Sequence, residues 1–258
     1  MEFRPCIDIH NGKVKQIVGG SLSDVGDFAN ENFVSRQDAT FYAKLYASAG
    51  IKGGHIILLN SKSSEYYEES RQQALSALRV YPGGLQVGGG ITPENAPEFL
   101  EAGASHVIVT SYVFHDGMID YERLQKLIDV VGKEHLVLDL SCKKAEDEYY
   151  IVTDRWQKMT KQQVTHELMD QLMEYCDEFL IHAVDVEGKT SGIEQQLTTL
   201  IGSWGKIPVT YAGGVHSYED IELLKKLGNN RLNVTIGSAL DLFGGEMKWT
   251  EVMRKIRG

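Results

Sequence analysis

The chain has 258 residues, 42% hydrophobic and 24% charged, the proportions of an ordinary soluble globular protein. That length suits one (β/α)8 barrel or two smaller domains, and it supports a core that needs no staple. A net charge of −10 argues against nucleic-acid and membrane-surface roles, which want basic patches, but not against a phosphorylated small molecule held by local backbone N–H groups.

Cys6, Cys142 and Cys176 are odd in number and far apart, with no Cys-x-x-Cys, so neither a disulfide framework nor a structural zinc site is expected. Met1 to Pro5 carries no secretory pattern, and no apolar run reaches the roughly 20 residues of a membrane span. The expectation is a reduced, cytoplasmic, monomeric protein.

In chain order, a strand at Phe3–Ile9 leads through a long connection, Asn11–Thr40, to a helix at Phe41–Ala49. His55–Leu59 leads to Tyr66–Leu78, Leu85–Val87 to Pro93–Ala102, and His106–Val109 to Tyr121–Val131. Leu136–Leu140 is followed by a second long connection, Ser141–Gln163, with a small hairpin at Glu148–Trp156, and then a helix at Thr165–Tyr175. Phe179–His182 leads to Ile193–Ile201, Ile207–Tyr211 to Tyr218–Leu227, and Asn233–Ile236 to Trp249–Ile256. Eight strand–helix units imply parallel strands with right-handed crossovers, and favour a closed barrel of one domain over residues 1–258. Thr92-Pro93-Glu94 reads as a helix N-terminus, Ser217 with Asp220 as a capping box, and Gly103 and Gly228 as C-terminal caps. The two long connections follow strands 1 and 5, where barrel loops overlie the active-site face as lids.

The halves repeat. Val87-Gly-Gly-Gly-Ile91 leads to Val107-Ile-Val-Thr-Ser111, and Tyr211-Ala-Gly-Gly-Val215 leads to Val234-Thr-Ile-Gly-Ser238. Gly89 and Gly213 lie 124 positions apart, Thr110 and Gly237 127 apart, and Asp8 and Asp139 131 apart, all near half the chain. This reads as two half-barrels facing each other. Glycine pairs at strand ends let the backbone approach an anion, and the turns that follow offer free N–H groups. Gly89, Gly90, Thr110 and Ser111 would form one phosphate grip, and Gly213, Gly214, Gly237 and Ser238 its counterpart. The same glycines also make tight turns, so one pair alone would be ambiguous. Two opposed grips imply a small substrate with a phosphate at each end.

Asp8 and Asp139 close otherwise apolar strands, where an unpaired carboxylate is costly to bury and reads as catalytic. Two carboxylates in different surroundings can serve as acid and base. His182, Asp185 and Glu187 also stand near the mouth, after strand 6. Trp156 either stacks on a planar substrate ring or staples its own hairpin. No metal-ligand spacing and no nucleophile elbow is present, so no metal is expected.

These residues resemble the histidine-biosynthesis isomerase family, which converts the formimino-aminoimidazole carboxamide ribotide into its ribulosyl form. Cys6-Ile-Asp-Ile-His-Asn-Gly-Lys-Val-Lys15, the two glycine turns and the half-barrel layout carry the resemblance over essentially the whole chain. The wording is nearest the fungal and plant type, as in Lys15-Gln-Ile-Val-Gly-Gly20 and Ile181-His-Ala-Val-Asp-Val-Glu-Gly188. The resemblance implies a (β/α)8 barrel performing an Amadori rearrangement without a cofactor. Asp8 falls on the family's proposed base, Asp139 on its strand-5 carboxylate, Trp156 on its loop tryptophan, and Gly20 joins the binding residues. Aligned without gaps on Gly188, the bacterial acid falls on Glu187 and a bacterial Thr on His182; a shifted loop puts the acid on Asp185. Bacterial members often carry Arg where this chain has Thr92. The sister cyclase barrel normally ends strand 1 in Asp-Val-Lys, and Asp8-Ile-His-Asn departs from it. A one-phosphate epimerase barrel needs no second grip, and a pure anion binder gains nothing from buried carboxylates.

Overall fold

The computed structural model describes residues 1–18, 21–23, 25–189 and 191–257. Its centre is built from β1 (Cys6–His10), β2 (Gly54–Leu58), β3 (Leu85–Gly88), β4 (Val107–Val109), β5 (Leu136–Asp139), β6 (Glu178–His182), β7 (Val209–Ala212) and β8 (Leu232–Thr235). Each pairs in parallel with the next. The ring is joined below β1: Phe3 bridges Val234 in parallel, Arg4 N–H donates to the Val234 carbonyl at 2.8 Å, and Val234 N–H donates to the Glu2 carbonyl at 2.9 Å. The helices α1 (Ala39–Ser48), α2 (Tyr67–Val80), α3 (Ala96–Glu101), α4 (Tyr121–Val131), α5 (His166–Leu172), α6 (Gln195–Trp204), α7 (Tyr218–Leu227) and α8 (Trp249–Arg257) follow the strands in turn. This is a (β/α)8 barrel.

Side chains on a strand alternate between two faces, and in this barrel both faces are covered. Ile7, Ile9, Ile56, Leu85, Val87, Leu138, Phe179, Tyr211 and Val234 point outward into the main core beneath the helices. The inward face is layered. At the bottom, Arg4 pairs with Glu178, whose carboxylate also accepts from Gln86 Nε2 at 3.2 Å and Thr210 Oγ1 at 2.7 Å; all four are buried. Above them Ile108, Val137 and Leu180, with Ile57 against them, form a separate apolar plug. Asp8, Asp139 and His182 lie at the upper ends.

Most predicted elements recur with ends shifted by a few residues, and four differ more. The strand predicted over 3–9 starts at Cys6, because residues 2–4 pair with β8 rather than β2. The helix predicted over 93–102 starts at Ala96. The Thr92 side chain accepts no backbone N–H among the described residues, but its carbonyl accepts the Asn95 and Ala96 N–H groups and Asn95 Oδ1 accepts the Thr92 N–H at 2.7 Å, so a turn from Thr92 leads into the helix. The connection after β1 is largely a hairpin, Lys13–Ile17 and Glu31–Val34, that lies antiparallel on β1 with Asp8 opposite Lys15. The hairpin predicted over 148–156 is the middle of a three-stranded sheet, Cys142–Ala145, Glu148–Thr153 and Lys158–Gln163. Its turns use positive φ at Glu146, Asp147, Asp154, Arg155 and Trp156; the two aspartates are ordinary turn residues, but Glu, Arg and Trp give little turn signal. The capping box of Ser217 and Asp220 is present, with Thr165 capping α5. Among the described residues no helix is long and apolar enough to cross a membrane.

The bottom layer yields a stability prediction. Glu178→Ala leaves a buried guanidinium with only the exposed Glu2 carboxylate, 3.2 Å away, as counter-charge, which should cost about 3 kcal/mol. Urea unfolding checks this; turnover of the folded variant should stay within about twofold of the parent, because the apolar plug separates Glu178 from the mouth.

Candidate active site

The upper ends of the strands enclose a cavity of about 230 Å3. It gathers residues from both halves: Asp8, Asp139, His182 and Glu187, with Gly89, Gly90, Thr110 and Ser111 on one side and Gly213, Gly214, Gly237 and Ser238 on the other. Trp156 also lines it. Asp185 does not. It is exposed, and its carboxylate accepts the Lys144 N–H at 2.7 Å. Gly20 lies outside the described residues.

The two glycine turns are built alike. Gly89 has φ +103, and a Cβ there would sit 2.1 Å from the Leu58 carbonyl oxygen. Gly213 has φ +119, and a Cβ would sit 2.8 Å from the Ala183 carbonyl oxygen. Each turn therefore needs glycine to pass the end of the preceding strand. β4 and β8 each then lead into a short 3-10 turn, Ser111–Val113 and Asp241–Phe243. The N–H groups of Gly90, Gly214 and Ser238 have no acceptor among the described residues and stay free for an anion. Lys62 stands over the first turn: its Nζ donates to Thr92 Oγ1 at 3.4 Å, and its aliphatic stem faces Gly90. It puts a cation beside the position where bacterial relatives often carry Arg. Lying in the loop after β2, it has no sequence signal of its own.

Asp8 and Asp139 occupy matching places in contrasting surroundings. Asp8 accepts from Gln16 Nε2 at 3.1 Å. Gln16 also contacts Cys6 Sγ at 3.4 Å, and it reaches this place because position 237 is glycine: a Cβ there would sit 2.2 Å from Gln16 Oε1. Burial pushes the Asp8 carboxyl up to about 7, against the opposing pull of the Cys6 and Gln16 hydrogen bonds. Asp139 is instead surrounded by donors. Ser141 N–H reaches Oδ1 at 2.7 Å, the Ser141 hydroxyl reaches the same oxygen, and Thr110 Oγ1 reaches Oδ2 at 3.1 Å.

The Glu187 carboxylate makes no hydrogen bond with any described residue; the residue's backbone N–H donates to the Val184 carbonyl at 3.3 Å. Burial raises its carboxyl; a positive charge on His182 would work against this, and the Asp8 charge adds to it. The His182 ring lies 5.3 Å from the Trp156 ring, tilted by 51°, and 6.2 Å from the His55 ring, edge-on. Burial, with repulsion from His182 and Arg4, lowers His55 to about 3, so it is neutral at working pH. Trp156 has φ +66 within a run of three positive-φ residues, and Lys143 Nζ donates to its carbonyl at 3.0 Å. Its indole lines the cavity beside the His182 ring. Gln16, His55 and Ser141 went unmarked in the sequence. The alternation of β2 does carry a signal for His55, which shares the inward face with Ile57; Gln16 and Ser141 lie outside the ring strands and carry none.

Comparison with known proteins agrees with this arrangement. Residues 2–248 match the family model described as histidine biosynthesis protein. A chloroplastic 1-(5-phosphoribosyl)-5-((5-phosphoribosylamino)methylideneamino)imidazole-4-carboxamide isomerase of Medicago truncatula is 51% identical over 98% of this chain and 81% of its own length. Isomerases of the same name from Yarrowia lipolytica and Neurospora crassa are 43% and 44% identical, over 98% and 95% of this chain and 99% and 93% of theirs. A match over nearly the whole length, onto a barrel whose mouth carries the paired glycine turns, places the chain in the histidine biosynthesis protein family.

Proposed function

We propose that this chain is the aldose–ketose isomerase its relatives are named for, acting on a ribosylamine with a phosphate at each end. The observation that carries the reading is one cavity holding Asp8, with its raised carboxyl, between two matching glycine turns. The turns after β3/β4 and β7/β8 grip the two phosphates, Lys62 adds charge to the first, and the base between them meets the sugar. Trp156 covers the planar imidazole carboxamide. One chain of residues 1–258 supplies every group the cavity needs, which supports a monomeric, single-domain enzyme. The three buried, free cysteines suit a reducing compartment such as the cytoplasm.

Glu187, unpartnered and with a raised carboxyl, protonates the furanose ring oxygen. The bond from that oxygen to C1 breaks, and the amine nitrogen lone pair forms the C1–N double bond of a Schiff base. Asp8 takes the C2 proton. The C2–H electrons form a C1–C2 double bond, and the C1–N π pair returns to nitrogen. Proton return to C1 and loss of the C2 hydroxyl proton give the aminoketose. Nitrogen is the electron sink throughout, so the residues supply orientation and proton transfer. Asp139, its oxygens already engaged by three donors, orients the site.

Asp8→Asn should lower turnover by about 10³-fold or more while substrate binding changes little, as single-turnover kinetics and equilibrium binding would show. The parent's kcat/KM should rise as pH climbs through about 7, where Asp8 ionises; near-normal turnover in the variant would remove Asp8 from the role of base. The same substitution should alter stability. Because the folded carboxyl is raised from 3.8 to about 7, the native state holds a proton the unfolded chain has released, so its stability falls as pH rises across that window. Asp8→Asn should therefore melt higher than the parent at pH 8, with the gain shrinking towards pH 4. Glu187→Gln should cost far more kcat than Asp185→Asn, and the reverse order would move the acid to Asp185.

A further inference from the structure

A proton count at the end of β5 assigns a role to Ser141. The side chain is fully buried. Its backbone N–H donates to Asp139 Oδ1 at 2.7 Å, and its hydroxyl reaches the same oxygen. The hydroxyl oxygen also lies 2.9 Å from His182 Nδ1 and 3.3 Å from the His182 backbone nitrogen. A serine hydroxyl has one hydrogen to give and two lone pairs to accept with. Asp139 Oδ1 already accepts from an N–H, so the hydroxyl hydrogen goes to it. The His182 backbone N–H can only donate. The contact to Nδ1 is then a hydrogen bond only if Nδ1 carries a hydrogen and gives it to Ser141. His182 Nε2 makes no hydrogen bond with any described residue, and the ring lines the cavity.

We propose that Ser141 is a positioning residue for the isomerisation: bridging Asp139 and His182, it holds His182 in the Nδ1–H tautomer, so that Nε2 meets the substrate as a hydrogen-bond acceptor for a sugar hydroxyl. This deepens the isomerase reading and rests on it for the substrate contact, although the tautomer itself does not. Trp156 and His55 fix the plane of the ring from two sides. The titratable groups around it are Asp139 from β5, neutral His55 from β2, Glu187 from the loop after β6, and Asp8 beyond Glu187 on β1. None of the others bonds to either ring nitrogen, so Ser141 alone sets the tautomer. A free neutral imidazole has no such constraint and exchanges between its two forms.

The test is long-range 1H–15N correlation of the histidine rings at pH 8.5 in substrate-free protein, with the His182 signals identified by their loss in His182→Gln. The parent should show His182 protonated at Nδ1, and Ser141→Ala should shift it towards the Nε2–H form. In the assay, Ser141→Ala should lose about tenfold or more in kcat with KM changed by less than about threefold. The double variant Ser141→Ala/His182→Gln should be no slower than His182→Gln alone. A parent spectrum with the proton on Nε2 overturns the proposal, whether or not Ser141→Ala folds. An unchanged tautomer in a folded Ser141→Ala also overturns it, as do additive losses in the double variant. A correct tautomer in a protein inactive on the aminoaldose would leave the positioning of His182 standing and remove the isomerase reading instead.

Discussion

The strict alternation of side chains along eight strands in a closed ring governs the rest of this molecule. Every second residue must face a narrow interior, and what stands at each level decides what the barrel can do there. The bottom level holds a buried guanidinium and carboxylate, tolerable only because they pair and because Gln86 and Thr210 satisfy the carboxylate. The middle level is a small apolar plug, Ile57, Ile108, Val137 and Leu180. The top level has no facing side chain to pack against, since the strands diverge into loops. Carboxylates placed there reach substrate and are partly stripped of water at once. The plug stands between the two polar layers, with the charge of Arg4 still felt at His55, so the lower layer mainly serves stability and the upper one chemistry.

The repeat and the inward carboxylates were legible in the sequence because they depend on local period and on glycine. Gly89 and Gly213 are required by close backbone approach at a strand end, a constraint that leaves the same residue at the same place in both halves. That also limits what the glycines say. Their first task is to let each turn pass Leu58 or Ala183, and the anion site is a consequence of the N–H groups the turn leaves exposed. Gln16, Lys62 and Ser141 were not legible, since each acts through a partner distant in sequence or on another strand. Gln16 reaches Asp8 only because a hairpin takes the place beside β1 that β8 holds lower down, and because residue 237 has no side chain. The Thr92 reading held in part: the chain turns at Thr92, whose carbonyl accepts the Ala96 N–H, but the regular helix begins only at Ala96.

The strand-6 end separates two residues that alignment leaves interchangeable. Asp185 and Glu187 are two residues apart, and either can be matched to a bacterial acid by shifting a loop. In the folded chain the peptide turns between them. Asp185 is spent on the Lys144 N–H at the surface, and Glu187 faces the cavity with no partner. A carboxyl that must both hold and release a proton benefits from having no competing donor, whereas one already satisfied at the surface has little to offer a substrate.

The two half-barrels place an aspartate at the same point of the same motif, and the surroundings then separate them. Around Asp8 the neighbours are a thiol, a carboxamide and a glycine, and its charge in turn adds to the cost of ionising Glu187. Around Asp139 they are two hydroxyls and a backbone N–H, which take up its oxygens and tie it through Ser141 to His182. A symmetric scaffold thus carries an asymmetric reaction. The substrate is itself asymmetric between its two phosphates, with one carbon to deprotonate and one oxygen to protonate. A single poised base on one side and a fixed hydrogen-bonding frame on the other meet that need, while two equivalent carboxylates would compete for the same proton.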